Sequence, residues 1–279
     1  MNLTSKSYGK ARVRVLRRHR DGDRHEVRET TVKATLAGDF GRAFTGADNS
    51  TTVATDSIKN IVNVVARENL RLDKEEFGIA IVKRFLDRYA QVETVAVEVV
   101  ETVWRRLSFD GREHGHSFTK DGNGHPVARV RGSRSGIGVE AGVEGFTFMK
   151  TTGSGWANYV TDEFTTLPET EDRIAATSMD AAWRYARAPS DYAAAGAAML
   201  HAMLEVFATT YSAGVQDSMY RMGCAALEAV PEVAGIRIAM PNKHYIPIDL
   251  SPFGLDNPGA VFLPTDEPHG QIDCTVERG

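Results

Sequence analysis

The order of hydrophobic patterns repeats along the chain, and this repeat limits the possible folds more than any single motif. In the first half, two strand patterns are followed by two helical patterns and then by two further strand patterns. The second half has the same order of patterns, without matching residue for residue. Two β-β-α-α-β-β units in tandem indicate antiparallel sheets with helices on one face. The sequence therefore predicts an α+β fold with repeats at residues 1–136 and 137–279.

The first half begins with an alternating segment that predicts a half-buried strand. Ala11, Val13 and Val15 point to one side of this strand. Lys10 points to the other side, together with two arginines, and is therefore predicted to face solvent. The other elements predicted in this half are a turn at 21–23, a second strand near 32–36, helices directly after Thr55-Asp56 and at 74–89, strands near 95–99 and 127–131, and a polar loop at 108–124.

The second half contains strand patterns at 139–149 and 173–187, helical patterns at 193–210 and 215–230, and strand patterns at 235–240 and 244–250. Its most apolar stretch is residues 192–211, which includes His201 and Glu205. A polar and a charged residue within a short apolar stretch favour a buried helix over a membrane span.

Composition narrows the class of protein. The apolar fraction of 42% is enough for a core, and a net charge of −4 argues against a nucleic-acid binder. Cys224 and Cys274 form neither a CxxC pair nor a disulfide framework. An apolar leader and a terminal Ser-Lys-Leu address are both missing from the sequence, so a cytoplasmic location is expected.

Several polar residues have both an ordinary and a chemical interpretation. Thr55-Asp56 is most simply a helix cap, although a helix start also suits an anion. Lys10 is most simply a solvated lysine, and a role as a base would require its desolvation. Arg173 follows three acidic residues and is most simply a surface ion pair, although its planar fork could grip an anion. His244 lies at the entry to a strand, where a histidine is more often structural.

His114 and His116 have the His-x-His spacing of some metal sites. A closed site needs three or four ligands, and this segment has no cysteine nearby, so no metal is expected. The glycine-rich signatures of dinucleotide and phosphate binding are also absent from the sequence. Residue patterns alone therefore lead only to an α+β protein with a tandem repeat.

Five segments carry a family resemblance. They are YGKARVRV at 8–15, NSTTVATDSIKN at 49–60, DEFTTLPETEDRIAAT at 162–177, SAGVQDSMYRM at 212–222 and MPNKHYIPIDL at 240–250. In this order, and on the predicted elements, they resemble the urate oxidase (uricase) family, in its bacterial form. The resemblance implies the tandem T-fold of that family, assembled into a barrel-like homotetramer with active sites at subunit interfaces.

The same resemblance implies a reaction and its partners. Urate, dioxygen and water would give 5-hydroxyisourate and hydrogen peroxide, with no cofactor and no metal. The expected partners are therefore the small substrate, dioxygen and further copies of the chain, with no nucleic acid and no membrane.

Roles are carried over by position in the matching segments. The resemblance implies that Lys10 and Thr55 form the catalytic dyad and that His244 completes a proton relay. Asn242, with Thr55, would hold dioxygen or water above the substrate. The residues implied to bind the purine edge are Arg173, Gln216, Val215 and Asp56.

One position departs from the family pattern. The family usually has phenylalanine where this chain has Trp156, and this aromatic residue stacks on the purine ring. Trp156 keeps a stacking face, but it is bulkier. Either the pocket is reshaped around Trp156, or the alignment is shifted and Tyr159 stacks instead.

Two other functions remain open at this stage. One is another T-fold enzyme that acts on a pterin or purine, such as a cyclohydrolase or an aldolase, of which the zinc type needs metal ligands. The other is a purine-binding or scaffold protein without activity. A metal assay and a urate assay distinguish these functions.

Overall fold

The computed structural model describes all residues, Met1–Gly279, which form two compact units, Met1–Gly142 and Val143–Gly279. The division falls within a strand, a few residues beyond the proposed repeat boundary at 136/137. All the helices and strands predicted for the two halves are present, with ends shifted by a few residues. The α+β class and the element order are thus confirmed.

The first unit is an antiparallel sheet covered by two helices. Its elements are β1 (Tyr8–Asp21), β2 (Arg24–Gly38), α1 (Gly41–Thr45), α2 (Thr55–Glu68), α3 (Lys74–Arg88), β3 (Val92–Thr102), β4 (Trp104–Phe109), β5 (Arg112–Lys120), β6 (His125–Ser133) and the beginning of β7 (Gly136–Lys150). The sheet has the order β1-β2-β3-β6. Ile58 and Val62 of α2 and Phe77, Ile81 and Phe85 of α3 are buried, so each helix turns an apolar stripe toward the core.

A β-bulge in β1 corrects the predicted orientation of Lys10. Lys10 pairs with Ala34 and Val13 pairs with Val32, so two residues of β1 lie opposite one residue of β2. Ala34 and Val32 are both buried, and directly paired residues share a face of the sheet. Lys10 therefore points to the helix-covered face, and the prediction that it faces solvent is wrong. Arg12 at the bulge has a φ of 59°, which permits the extra residue.

Arg17 of β1 is a buried cation that holds the loop between α2 and α3. Its guanidinium donates hydrogen bonds of 2.9 Å to the backbone oxygens of Asn69 and Leu72. It also lies 4.2 Å from the ring centroid of Phe77. Burial lowers the pKa of Arg17 to about 10. The charge is thus kept inside the unit by backbone carbonyls and an aromatic face.

We expect Arg17→Ala to lower the free energy of unfolding by about 2–4 kcal/mol, because it removes packing and leaves two carbonyls without their donor. Urea denaturation measures this loss. The control is Arg18→Ala, because Arg18 is the exposed neighbour on the same strand; its effect should stay within about 0.5 kcal/mol. Equal losses in the two variants would contradict the role given to Arg17.

The segment predicted as a polar loop contains the hairpin formed by β4 and β5. Phe109 pairs with Arg112 across a two-residue turn, in which Asp110 and Gly111 have φ values of 51° and 74°. Two positive φ angles are typical of a type I′ turn, for which Asp-Gly is a preferred sequence. The sequence therefore contained the signal for this hairpin, and the loop prediction was wrong.

The second unit is an antiparallel sheet with two helices, and one edge of one strand pairs with two different strands. Its elements are the rest of β7, β8 (Ala175–Tyr185), α4 (Tyr192–Thr209), α5 (Val215–Ala229), β9 (Val233–Ala239), β10 (Asn242–Pro247), β11 (Phe262–Gly270) and β12 (Asp273–Glu277). β8 pairs with β7. The first residues of β8 also pair with β10, and its later residues pair with β9.

Two strands of the second unit, β11 and β12, were not predicted from the sequence. β11 pairs with β10, and β12 pairs with β9. Pro264 and Pro268 argue against a strand in the sequence, yet β11 is an edge strand, where proline is tolerated.

The helices of the second unit each bury one apolar face. α4 is long and apolar enough to cross a membrane by length and composition alone. In this fold Met199, Met203 and Phe207 of α4 are buried, as are Met219 and Met222 of α5. The apolar stretch of α4 therefore contributes to the core of the second unit.

Candidate active site

Thr55 and Asp56 are the first residues of α2, and Lys10 of β1 lies near Asp56 in the same unit. α2 begins at Thr55, and the residue in the capping position is Ala54, so the interpretation of Thr55-Asp56 as a cap is wrong. Asp56 instead accepts hydrogen bonds from Lys59 at 2.5 Å and Asn60 at 3.0 Å. The pKa of Asp56 is below its ordinary value, mainly because of Lys59, with a smaller contribution from the positive charge of Lys10. Lys10 is thus close enough to the start of α2 to lower the pKa of Asp56.

Tyr8 and Gly9 fix the strand that carries Lys10 against the approach to α2. The Tyr8 hydroxyl accepts a 2.6 Å hydrogen bond from the backbone N–H of Val53, two residues before Thr55. At Gly9, a Cβ atom would lie 1.9 Å from the backbone oxygen of Ala34, so only glycine fits. The Tyr8 contact thus joins the strand of Lys10 to the approach to Thr55, and the Gly9 contact holds that strand close to β2.

Trp156, Tyr159 and Arg173 form an aromatic and cationic group in the second unit. The rings of Trp156 and Tyr159 are stacked, with centroids 5.6 Å apart and planes at 14°. The guanidinium carbon of Arg173 is 5.9 Å from the Trp156 ring centroid. The structure therefore places both aromatic residues in one stack, with the cation near Trp156.

Arg173 is not the surface ion pair that its neighbours suggest. Burial lowers the pKa of Arg173, and its Nε atom is buried without a hydrogen-bond partner. Two of the nearby acidic residues have other partners, because Asp172 accepts from Thr152 and Glu169 accepts from the backbone of Asn158. A partly desolvated cation with an unused donor is suited to bind an anion.

The segment Gly153-Ser154-Gly155 holds this group in place, although no role was predicted for it. The Ser154 backbone oxygen accepts a 2.8 Å hydrogen bond from the Arg173 N–H, and Gly155 donates to Ser212 at 2.8 Å. A Cβ atom at Gly155 would lie 2.2 Å from the Tyr211 hydroxyl. Two glycines flanking a small residue were the only signal for this close approach of backbones.

Val215 and Gln216 begin α5 beside the aromatic stack. A Cβ atom at Gly214 would lie 3.0 Å from the Trp156 ring and 3.2 Å from Gln216 Oε1, so the indole and the amide converge above Gly214. The hydroxyls of Ser212 and Ser218 are 2.5 Å apart, and both lie 3.2 Å from the Gly214 carbonyl oxygen. Because each hydroxyl has one proton, one serine donates to the other, which donates to that oxygen. This buried network fixes the backbone from which Val215 and Gln216 extend.

Asn242 and His244 are half-buried residues of β10. Asn242 pairs with Thr177 of β8 and, together with Val215, lines a small cavity. His244 lies opposite Thr265 of β11, and the pairing shifts register between Asn242 and His244. The structure thus brings Asn242 close to Val215, and it places His244 on the next part of the same strand.

His114 and His116 lie in β5 rather than in a loop. Their ring centroids are 4.7 Å apart, and His25 is 5.5 Å from His116. Arg106 donates to the backbone oxygens of His114, Gly115 and His25 and so joins the two hairpins. No group of three or more His, Cys, Asp or Glu residues in Met1–Gly279 is arranged to hold a metal ion.

Comparison with known proteins decides the family. The model of the Uricase family matches residues 6–131 and 139–273, which is almost the whole chain. The chain belongs to the uricase family. The resemblance seen in the five sequence segments is therefore confirmed.

Uricases from distant organisms are similar over nearly their full lengths. The chain is 38% identical to the uricase of Arthrobacter globiformis over 276 residues, covering 99% of this chain and 90% of that protein. It is 36% identical to the uricase of Dictyostelium discoideum, covering 99% and 97%. The crystal structure of the Arthrobacter globiformis uricase matches with a TM-score of 0.94, covering 100% of this chain and 95% of that one. The tandem fold is thus that of the uricase structures.

Proposed function

We propose that this chain is a urate oxidase, which oxidises urate with dioxygen and water to 5-hydroxyisourate and hydrogen peroxide. The match to the uricase family over nearly the whole chain carries this proposal. The second unit supports it, because the Trp156 indole and the Gln216 amide converge above Gly214 and the partly desolvated guanidinium of Arg173 lies near the same indole. These groups are suited to bind a flat, anionic heterocycle. A cytoplasmic location belongs to the same proposal.

The binding step follows from these groups. Arg173 and Gln216 donate hydrogen bonds in the plane of the purine, and the backbone of Val215 and Asp56 completes its edge. Trp156 stacks on the ring, and Tyr159 supports the indole by stacking on it. Charge-assisted hydrogen bonds of this kind contribute about 1.5–3 kcal/mol each.

The redox step uses the electrons of urate itself. Urate is an electron-rich anion near neutral pH, and removal of a second proton makes it a better electron donor. Two electrons pass from urate to dioxygen, which leaves as hydrogen peroxide with two protons, and water adds to the oxidised ring. The protein must take up a proton, fix the ring and place dioxygen over it. We therefore propose that no cofactor is needed.

The proton steps are assigned to Lys10, Thr55 and His244. The bulge turns Lys10 toward the helix-covered face of its sheet, and Tyr8 ties its strand to the approach of Thr55. General acid–base catalysis of this kind is typically worth about 10²–10⁴ in rate. Asn242 and Thr55 direct their polar groups toward dioxygen.

The residues of the two units are proposed to meet between chains. Lys10, Thr55 and Asp56 lie in the first unit, whereas Arg173, Gln216, Asn242 and His244 lie in the second. In the proposed homotetramer, the first unit of one chain and the second unit of another complete each site. An isolated chain is then inactive.

The test is an assay of chelator-treated protein in air. Urate is followed by its absorbance, and peroxide is measured with a coupled peroxidase. The proposal predicts loss of urate with one peroxide formed per urate, and no gain when metal or flavin is added. Urate left unchanged, or turnover only after metal or flavin is restored, would contradict it.

A further inference from the structure

A small cavity in the second unit has the size of one water molecule. Its volume is about 10 Å³, close to the lower limit for a single water. Four polar residues contribute to its lining: Thr177, Ser212, Ser218 and Asn242. A water molecule in a protein interior usually makes two to four hydrogen bonds, so this lining offers sufficient partners.

Thr177 supplies the observation that points to an occupant. It is 2% exposed, and its Oγ1 atom is buried without a hydrogen-bond partner. A buried hydroxyl left without a partner costs about 1–3 kcal/mol, and such groups are usually satisfied by protein or by an ordered water. The hydroxyls of Ser212 and Ser218 differ, because they bind each other and the Gly214 carbonyl.

Asn242 lies directly across from Thr177 in the antiparallel pair of β10 and β8. Directly paired residues have their Cβ atoms about 4.5–5.5 Å apart on the same face of the sheet. Thr177 and Asn242 line the same cavity, yet the Thr177 hydroxyl has no partner. A bridging water fits between a hydroxyl and an amide at this separation.

We propose that this cavity binds one water molecule, which joins the Thr177 hydroxyl to the side-chain amide of Asn242. Thr177 is then a positioning residue, because it holds the amide of Asn242 through the water. The consequence for dioxygen rests on the function proposed above, in which Asn242 directs its amide toward dioxygen. The water site itself rests only on the cavity, the buried hydroxyl and the strand pairing.

The structural test compares three proteins as crystals at high resolution: the unchanged chain, Thr177→Val and Thr177→Ser. Valine keeps the shape and removes the hydroxyl, whereas serine keeps the hydroxyl. We expect an ordered water between residue 177 and Asn242 in the unchanged chain and in Thr177→Ser, and none in Thr177→Val. An empty cavity in the unchanged chain, or a water retained in Thr177→Val, would overturn the proposal.

The kinetic test separates positioning from general structure. We expect Thr177→Val to raise KM for dioxygen by about 2- to 10-fold, the range of one neutral hydrogen bond, and to leave KM for urate within about 2-fold. Thr177→Ser should restore the KM for dioxygen. Equal changes in both KM values, or no rescue by serine, would overturn the positioning role. If the unchanged chain does not oxidise urate, the proposed function fails, and the crystal structures still decide the water site.

Discussion

Replacement of Lys10 with methionine is expected to lower kcat for urate oxidation by about 10²–10⁴-fold, the usual worth of a positioned acid or base. Methionine is similar in length and apolar, so it can occupy the helix-covered face to which the bulge directs this side chain. The residues proposed to hold the purine plane lie in the other unit and are unchanged. Urate binding should therefore stay within about threefold of the original, since no charge-assisted contact to urate is assigned to Lys10.

The measurement combines steady-state turnover with equilibrium binding of urate under nitrogen, where the reaction has no oxidant. Lys33→Met is the matched control, because Lys33 is an exposed lysine of the neighbouring strand β2. It should retain turnover. Loss of urate binding in Lys10→Met, with the turnover per bound urate preserved, would remove Lys10 from the catalytic step.

Replacement of Arg173 with alanine is expected to weaken urate binding by about 10- to 150-fold, which corresponds to the 1.5–3 kcal/mol of a charge-assisted hydrogen bond. The guanidinium is half-buried beside Trp156, and its Nε donor has no partner within the chain. An anion that fills this position satisfies the donor and the charge together. Alanine removes both.

Arg173→Lys separates the contribution of the positive charge from that of the planar guanidinium group. Lysine keeps the positive charge, but it cannot make two parallel hydrogen bonds, so an affinity between those of the alanine variant and the original is expected. The control is Arg184→Ala. Arg184 is an exposed residue of β8, the strand that follows Arg173, and it forms an ion pair with Glu277. Calorimetric titration with urate gives the affinities. Unchanged affinity in Arg173→Ala would exclude Arg173 from the binding site.

Most of the fold could be predicted from periodicity. The stripes of α2 and α3 and the alternation of the main strands depend on local patterns, so the sequence alone predicts their positions. β11 was missed because its prolines argue against a strand, and only its place at the edge of the sheet makes them acceptable. Such a place depends on tertiary structure, which local patterns do not report.

The candidate site was less predictable because its geometry depends on local irregularities. One extra residue at Arg12 reverses the direction of Lys10. The neighbouring residues Arg12 and Arg14 are polar, so the alternation of polar and apolar residues does not reveal the bulge. The Arg173 backbone is held by Ser154, and the next residue, Gly155, packs against the Tyr211 hydroxyl, which is distant in sequence. The family resemblance identified Lys10 and Arg173 by position, whereas the structure shows how each side chain is oriented and buried.

The central claim is that each active site combines the first unit of one chain with the second unit of another. The direct test mixes Lys10→Met and Arg173→Ala chains in equal amounts, unfolds them together and refolds them. Random assembly should restore about a quarter of the original activity, because one site in four then receives both unaltered halves. If the mixture stays as inactive as either variant alone, each site is built within a single chain and the claim is wrong.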